Sequence, residues 1–312
     1  MRNMRGKEQE TAFARSGSAH SVAPKVAVLM AAYNGERFIV EQIESILCQE
    51  HVSVCLFVSL DLSSDSTLEI VTAYSKKYKN IILLPYGARY GSASQNFFRL
   101  IRDVDVEKFD YVSLSDQDDI WSSKKISEAI QRLRKGHCNA YSSNVLAFWD
   151  DGRTKLLEKA QPPRVWDYLF ESAGPGCSYV LDKKLTLGLK SLLVSKSAEL
   201  YRVALHDWFI YAFARTHGYS WEIDSRSFVL YRQHNGNVIG ANNGVNSALH
   251  RYRLMRKGWY RSQTALFVDI FRVNKFYGRL NSRFFLLRHV NQFRRKKTDR
   301  IILAIFILLG IY

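Results

Sequence analysis

The sequence is poor in the residues and motifs that mark several protein classes. It has only four cysteines in 312 residues, and no two of them are spaced like zinc ligands or like part of a disulfide framework. No G-x-G-x-x-G follows the first predicted strand, which argues against a dinucleotide-binding oxidoreductase, and no G-x-x-x-x-G-K-[ST] is present, which argues against a P-loop nucleotidase. We therefore expect a reduced, cytoplasmic compartment and no glycine-rich phosphate loop.

Acidic residues and long apolar runs are also scarce toward the C-terminus. The chain has a net charge of +16, and residues 251–300 account for +13 of it, with 15 Lys/Arg against 2 Asp/Glu. Residues 301–312 carry no charge, but a helix needs roughly 20 apolar residues to span a bilayer. We predict that residues 246–312 form a basic, aromatic, helical region whose apolar tail associates with a membrane surface without crossing it.

Two other segments lack the pattern of a helix or a strand. Residues 1–24 mix charges, serine and glycine without an apolar run, so we expect a disordered leader and not a secretory signal. Residues 232–243 are polar and rich in asparagine and glycine, which predicts a loop. Residues 201–216 have a helical pattern. The catalytic unit is expected between these ends, over residues 25–245.

Short apolar runs alternate with amphipathic helical patterns in the first half. The predicted strands are 26–31, 54–60, 81–84, 111–114 and 140–148. This alternation predicts an α/β fold with a mixed, mostly parallel sheet and flanking helices. Ligands of such sheets bind outside the carboxyl ends of the strands. Polar clusters at 33–35, 61–65 and 116–119 follow three of these strands, so we expect a site there.

The cluster after the fourth predicted strand has the chemistry of a metal site. Asp116 and Asp118 are one residue apart on a turn, so both carboxylates can face one ligand. A hard divalent ion takes one or two carboxylates and completes its shell with water and phosphate oxygens. A solvated acidic turn without a ligand is the alternative.

Together these motifs resemble the family 2 inverting glycosyltransferases with the GT-A fold, most closely the rhamnosyltransferase-like branch of bacterial surface-polysaccharide synthesis. The resemblance covers residues 25–243. It is carried by Ala31-Ala32-Tyr33-Asn34-Gly35, Asp61 to Thr67, Asn96-Phe97, Ser115-Asp116-Gln117-Asp118-Asp119-Ile120-Trp121, Gly176-Cys177 and His206-Asp207-Trp208.

The resemblance implies roles for individual residues. Asp116 and Asp118 would hold Mg²⁺ or Mn²⁺. Asp207 would be the catalytic base, although an Asp at a helix start is also a common cap. The residues implied to bind the nucleotide-sugar donor are Tyr33, Asn34, Glu36, Asp61, Asn96, Asp116, Gln117, Arg232 and His234. Those placed near the acceptor are Trp121, Gly176, Cys177, His206 and Trp208.

One position departs from the family pattern. The family commonly has two adjacent Asp residues followed by Gly after its second strand, whereas this chain has Leu60-Asp61-Leu62. The missing carboxylate and glycine put the usual contact with the nucleotide base in doubt.

The resemblance implies an inverting transferase that moves a sugar, L-rhamnose from dTDP-L-rhamnose, to a lipid-linked glycan acceptor of O-antigen or another cell-surface polysaccharide. The basic tail suggests peripheral attachment to the anionic inner face of the cell membrane, and no nucleic-acid partner is expected. A sugar-nucleotide nucleotidyltransferase is the closest enzyme alternative. A basic membrane- or nucleic-acid-binding protein with a degenerate GT-A domain is the non-enzyme alternative.

Overall fold

The computed structural model describes residues 22–234 and 245–312. Most of the predicted leader and residues 235–243 of the predicted loop lie outside these ranges. The strands are β1 Lys25–Ala32, β2 Ser53–Leu60, β3 Ile81–Leu83, β4 Tyr111–Ser115, β5 Ile120–Trp121, β6 Ala140–Trp149, β7 Thr154–Leu157, β8 Val180–Asp182 and β9 Trp221–Gln233. The helices are α1 Ile39–Leu47, α2 Thr67–Lys77, α3 Ala93–Asp103, α4 Lys125–Gly136, α5 Lys183–Ser195, α6 Ser197–Leu200, α7 His206–Thr216, α8 Val245–Arg256, α9 Trp259–Ile270, α10 Arg283–His289 and α11 Lys297–Leu308.

The described strands form one mixed sheet in the order β3-β2-β1-β4-β8-β6-β9-β5, with β7 beside β6. Strands β1 to β4 run parallel to their neighbours in this group, whereas β8 is antiparallel to both β4 and β6. The predicted fold class is confirmed, and the parallel half brings the carboxyl ends of β1, β2 and β4 to one edge.

Strand β1 shows why the strands in the first half of the chain can be predicted from the sequence. Its residues from Val26 onward are all buried, and alternate side chains enter different cores. Ala27 and Leu29 join the hydrophobic cluster on one face of the sheet, while Val28 and Met30 join the cluster on the other. A strand covered on both faces reads as a continuous apolar run.

Two boundaries in the second half differ from the prediction. The helix predicted over 201–216 begins at His206, because the segment before it is held by tertiary contacts. There the Ala204 amide donates to Gln263 and the Ala204 carbonyl accepts from Ser94. The loop predicted from residue 232 begins later, since β9 continues through Gln233 and pairs with β6.

The C-terminal helices share a core with the sheet domain. Phe267, Phe276 and Phe293 are fully buried and belong to the same hydrophobic cluster as α3 and α7. Helix α11 packs through Leu303 and Ile307. Within the described ranges, no helix is both long and apolar enough to cross a bilayer.

One residue of the basic run before α11 faces inward. Arg295 is buried and pairs with Asp167 at 3.2 Å and with Glu171 at 3.6 Å. Its guanidinium also donates to the Ser172 carbonyl at 2.6 Å. Because a buried charge needs such partners, this arginine fixes the C-terminal region onto the loop that precedes β8.

Candidate active site

The polar loops after β1 and β4 meet at the sheet edge through one side-chain amide. Gln117 accepts a hydrogen bond from the Tyr33 amide and donates one to the Tyr33 carbonyl, each at 2.8 Å. Gly35 lies against the same amide group, and a Cβ there would overlap it. The glycine therefore allows the close approach of the two loops, and Gln117 fixes the position of the acidic loop on which it lies.

The β1 loop is also fastened to the loop after β2. Asn34 has a left-handed backbone (φ 45°), and its side-chain oxygen accepts from the Ser64 amide at 2.8 Å. The Glu36 carboxylate accepts from the Ser66 amide at 2.9 Å. Two of the side chains that the resemblance assigns to the donor thus shape the site, while the Tyr33 side chain is half exposed.

Asp61 is buried at the end of β2 and holds a third loop. Its two carboxylate oxygens accept from the backbone amides of Tyr90 and Gly91 at 2.9 and 2.8 Å. Asn96, from α3, donates to the Ser59 carbonyl at 2.9 Å and to the Ala32 carbonyl at 3.3 Å. Its amide therefore joins β1 to β2 and lies inside the framework.

Carboxylates converge after β4. Asp118 lies 2.7 Å from the Nε2 atom of His234, the residue that follows β9. Burial, reinforced by the charges of Asp118 and Asp207, raises the pKa of the Asp116 carboxyl to about 7. An anionic centre of this kind lowers its free energy by binding a cation.

Asp119 faces the interior behind that loop. Burial and the charges of Asp118 and Asp116 raise its pKa well above the usual range, and burial likewise raises the pKa of the Cys177 thiol. Oxygen and sulfur atoms of Asp116, Asp119 and Cys177 lie within 4.8 Å of one another. A protonated thiol is a poor ligand for a hard ion, so we interpret Asp119 and Cys177 as a buried support for the loop that carries Asp116.

Lys125 is part of the same interior group, and the sequence did not identify it. Its ammonium lies 3.4 Å from the centroid of the Trp121 ring and donates to Ser113 at 2.6 Å. Burial lowers its pKa to about 7. Nothing in the local pattern separates Lys125 from an ordinary lysine in a first helical turn.

Arg232 supports the acidic loop from β9. Its guanidinium lies between the rings of Phe38 and Phe148, 4.7 Å from each centroid. It pairs with Glu41, and its Nε atom donates to the Asp118 carbonyl at 3.0 Å. Its contacts position Asp118 and the neighbouring His234.

Asp207 lies in the first turn of α7, close enough to Asp116 for its charge to raise the pKa of that carboxyl. The N-cap residue of this helix is Leu205, which makes no side-chain cap. The Asp207 carboxylate accepts from the Trp208 amide at 2.7 Å. Burial raises its pKa to about 6, although that hydrogen bond and the charge of Lys159 lower it. A carboxylate with such a pKa suits general-base catalysis near neutral pH.

The residues expected near the acceptor are mostly interior. Trp208 is buried and donates its indole N–H to the Tyr168 carbonyl at 2.9 Å. Trp121 is buried under Lys125. His206 stacks on Phe97 with ring centroids 3.9 Å apart. Neither tryptophan presents an open ring face to a sugar in this structure, because both fill the core.

Position 176 must be a glycine because the imidazole ring of His206 lies directly against it. A Cβ at this glycine would meet the imidazole, so the small residue lets α7 approach the loop before β8. Burial lowers the pKa of His206 to about 3. The two residues place the start of α7, and with it Asp207, beside the acidic loop.

Asp118, His234 and Asp116 are the residues of this loop region that could hold a divalent ion. The carboxylate of Asp118, the imidazole of His234 and the nearby carboxyl of Asp116 are oxygen and nitrogen donors with excess negative charge. Such a set suits Mg²⁺ or Mn²⁺.

Comparisons with known proteins agree with the resemblance. The sequence model described as Glycosyl transferase family 2 matches residues 27–187. The chain is 42% identical to the dTDP-rhamnosyl transferase RfbG of Shigella flexneri over 289 residues, which is 91% of this chain and 100% of that protein.

Solved structures share the fold at low identity. A structure of S. aureus TarS residues 1–349 with UDP-GlcNAc has a TM-score of 0.54 at 16% identity, covering 92% of this chain and 80% of that one. The mannosyltransferase PcManGT of Pyrobaculum calidifontis, with GDP-Man and Mn²⁺, has a TM-score of 0.50 at 16% identity, covering 94% and 82%. From the family match, the RfbG identity and this fold, we conclude that the chain belongs to glycosyl transferase family 2.

Proposed function

We propose that this glycosyltransferase moves L-rhamnose from dTDP-L-rhamnose to a hydroxyl of a lipid-linked glycan, with inversion at the anomeric carbon, in the synthesis of O-antigen or another surface polysaccharide. The identity to RfbG over nearly the whole of both chains supports the donor. The observation that carries the proposal is the convergence of Asp116, Asp118 and Asp207 at one sheet edge, with Asp116 and Asp207 both perturbed by burial.

The residues divide the chemistry between them. Asp118 and His234 would hold the divalent ion, with Asp116 beside them, and a bound ion supplies Lewis-acid stabilisation of the leaving diphosphate. Asp207 accepts the proton of the acceptor hydroxyl as that oxygen attacks the anomeric carbon. Attack from the face opposite the leaving group inverts the configuration. Gln117 and Arg232 keep the acidic loop in position.

Donor binding tests the assignment. We would titrate dTDP-L-rhamnose and a panel of UDP-sugars into wild type, Asp118→Ala and Glu69→Ala, with Mg²⁺, with Mn²⁺ and with EDTA. Glu69 is an exposed carboxylate of α2 and serves as the matched control. We expect tight metal-dependent binding of dTDP-L-rhamnose to wild type and control only. Metal-independent binding, or a preference for a UDP-sugar, would contradict the metal or donor assignment.

We also propose that the enzyme works at the cytoplasmic face of the cell membrane, where a lipid-linked acceptor is held. Helix α11 supports this because it has two apolar faces. Leu303 and Ile307 are buried, whereas the opposite side exposes Ile301, Ile302, Ile305 and Leu308. An apolar face together with nearby basic residues is typical of interfacial helices.

A further inference from the structure

A cavity of about 400 Å³ lies in the C-terminal region, away from the carboxylate site. Its lining includes the cationic side chains of Lys275, Arg279 and Arg288, together with His289, Ser282 and Phe284, and it contains no Asp or Glu. Three cationic side chains that line one concave space favour an anionic ligand with several acceptor oxygens.

The chain segment that forms the cavity contains no acidic residue that could offset the charge of these cations. Residues 270–298 contain nine Lys/Arg and no acidic residue, and of these nine Arg295 is paired with Asp167 and Glu171. Lys275 lies 4.4 Å from the centroid of the Trp166 ring, and Arg279 lies 5.5 Å from that of Phe285. Aromatic rings hold cations in place without cancelling their charge, so these two contacts orient the side chains at the cavity.

An apolar rim adjoins the cavity. Phe284 lines it and is 75% exposed. The neighbouring Arg283 lies against Gly310, where an added Cβ would overlap its guanidinium. That contact brings the exposed Phe284 close to the C-terminal end of α11, where Leu308 and Leu309 are also exposed. Cations in a cavity and apolar side chains beside it match the two layers of a membrane surface.

We propose that this cavity binds the phosphoryl headgroup of an anionic membrane phospholipid while Phe284 and the exposed face of α11 enter the acyl boundary. The proposal rests on the membrane association proposed above and adds a defined headgroup site to it. A nucleic acid would use the cations but gain little from the aliphatic face, which is why a lipid is favoured.

The test is partition of the full-length chain onto phosphatidylcholine vesicles with and without phosphatidylglycerol. The test variant is Lys275→Gln with Arg288→Gln. The matched control is Lys76→Gln with Lys77→Gln, which removes the same charge from exposed positions of α2. Since a cation near an anionic leaflet contributes a roughly fivefold gain in partition, we expect the test variant to bind anionic vesicles about 25-fold less tightly. The control should change little.

Several results would overturn the proposal. Equal losses in the test and control variants would show that only overall charge matters, and equal binding of wild type to neutral vesicles would remove any headgroup role. Stabilisation of wild type by inorganic phosphate, without vesicle binding, would indicate a free-anion site. Loss of binding to a DNA duplex in the test variant, with vesicle binding retained, would point to nucleic acid. Donor titrations without vesicles report separately on the transferase proposal.

Discussion

The carboxyl of Asp207 has two properties that a purely structural aspartate in a first helical turn does not need. It lies within electrostatic reach of Asp116, and burial raises its pKa to about 6. Replacement by Asn keeps the shape and the hydrogen bond to the Trp208 amide but removes the proton acceptor. We therefore expect Asp207→Asn to lower kcat by about 10²–10⁴-fold with donor affinity retained.

The control for this variant is Asp299→Asn, which alters an acidic residue in the first turn of another helix, α11. With a soluble acceptor, it should leave kcat unchanged. A parallel loss of thermal stability and activity in Asp207→Asn, or a loss of donor binding as large as the loss of rate, would instead assign Asp207 to the framework.

The pKa of Asp207 also predicts a pH profile. A general base acts only when ionised, so kcat/KM should fall as the pH drops through about 6, tenfold for each further unit. An ordinary Asp would place this limb near 4. Rates of wild type measured between pH 4.5 and 8.5, with stability checked at each pH, locate the limb. A flat profile down to pH 5 contradicts the role.

His206 should make the protein sensitive to acid. Its folded pKa is lowered from 6.5 to about 3 by burial, so between these values the unfolded chain binds a proton that the folded chain does not. Stability is therefore lost as the pH falls below 6.5, by up to about 1.4 kcal/mol per unit from this group. Asp207 shifts in the opposite sense and opposes this slope.

His206→Leu isolates that contribution. Urea denaturation of wild type and variant at pH 7.5, 6 and 5 gives the free energy of unfolding at each pH. We expect the difference between them to shift in favour of the variant as the pH falls. If the difference stays constant, the imidazole is not held neutral.

At the scale of elements, the acidic loop after β4 is positioned by its neighbours. Gln117 joins it to the β1 loop through two hydrogen bonds, and the sheet itself does not depend on them. We predict that Gln117→Ala weakens donor binding about tenfold, as expected from the loss of one or two hydrogen bonds, with little change in thermal stability. Gln161→Ala, which removes an exposed amide that donates to the Glu158 carbonyl of its own loop, should bind the donor as wild type does.

The elements that could be predicted from sequence are those whose pattern is local. Strands β1 and β2 are largely apolar, and β4 is a short run whose last four residues are buried. The polar clusters at the ends of these strands follow from parallel topology. Strand β9 was missed because it mixes buried and exposed positions with charged residues. Lys125 and Asp119 were not recognised as an interior group, because their burial depends on Cys177 and Trp121, which only the fold brings to them.

The surroundings of the residues expected near the acceptor were the hardest to predict from sequence, for the same reason. A tryptophan beside the aspartate proposed as the base suggests a sugar-stacking residue. Trp208 instead packs on Phe267 of the C-terminal helices, with 5.0 Å between the ring centroids. That contact joins positions 59 residues apart in sequence, and no local periodicity encodes it.

At the scale of the whole molecule, the shared core predicts one cooperative unfolding unit. Phe267→Ala removes a fully buried ring between α9 and α7 and should cost about 3–5 kcal/mol. Phe284→Ala removes an exposed ring, and its effect should stay within about 0.5 kcal/mol. Far-UV circular dichroism and donor binding should report the same transition for Phe267→Ala. Separate transitions would mean that residues 246–312 unfold independently.

The attachment of the loop between β3 and α3 has a consequence for how such enzymes diversify. Asp61 holds this loop by the backbone amides of Tyr90 and Gly91, and every residue except proline has that group. Substitutions at the exposed positions 88 and 89 therefore leave the attachment intact, whereas Gly87 and Gly91 have φ angles of 120° and 77° that favour glycine. This loop can therefore vary in sequence at positions 88 and 89 while the edge of the site keeps its shape.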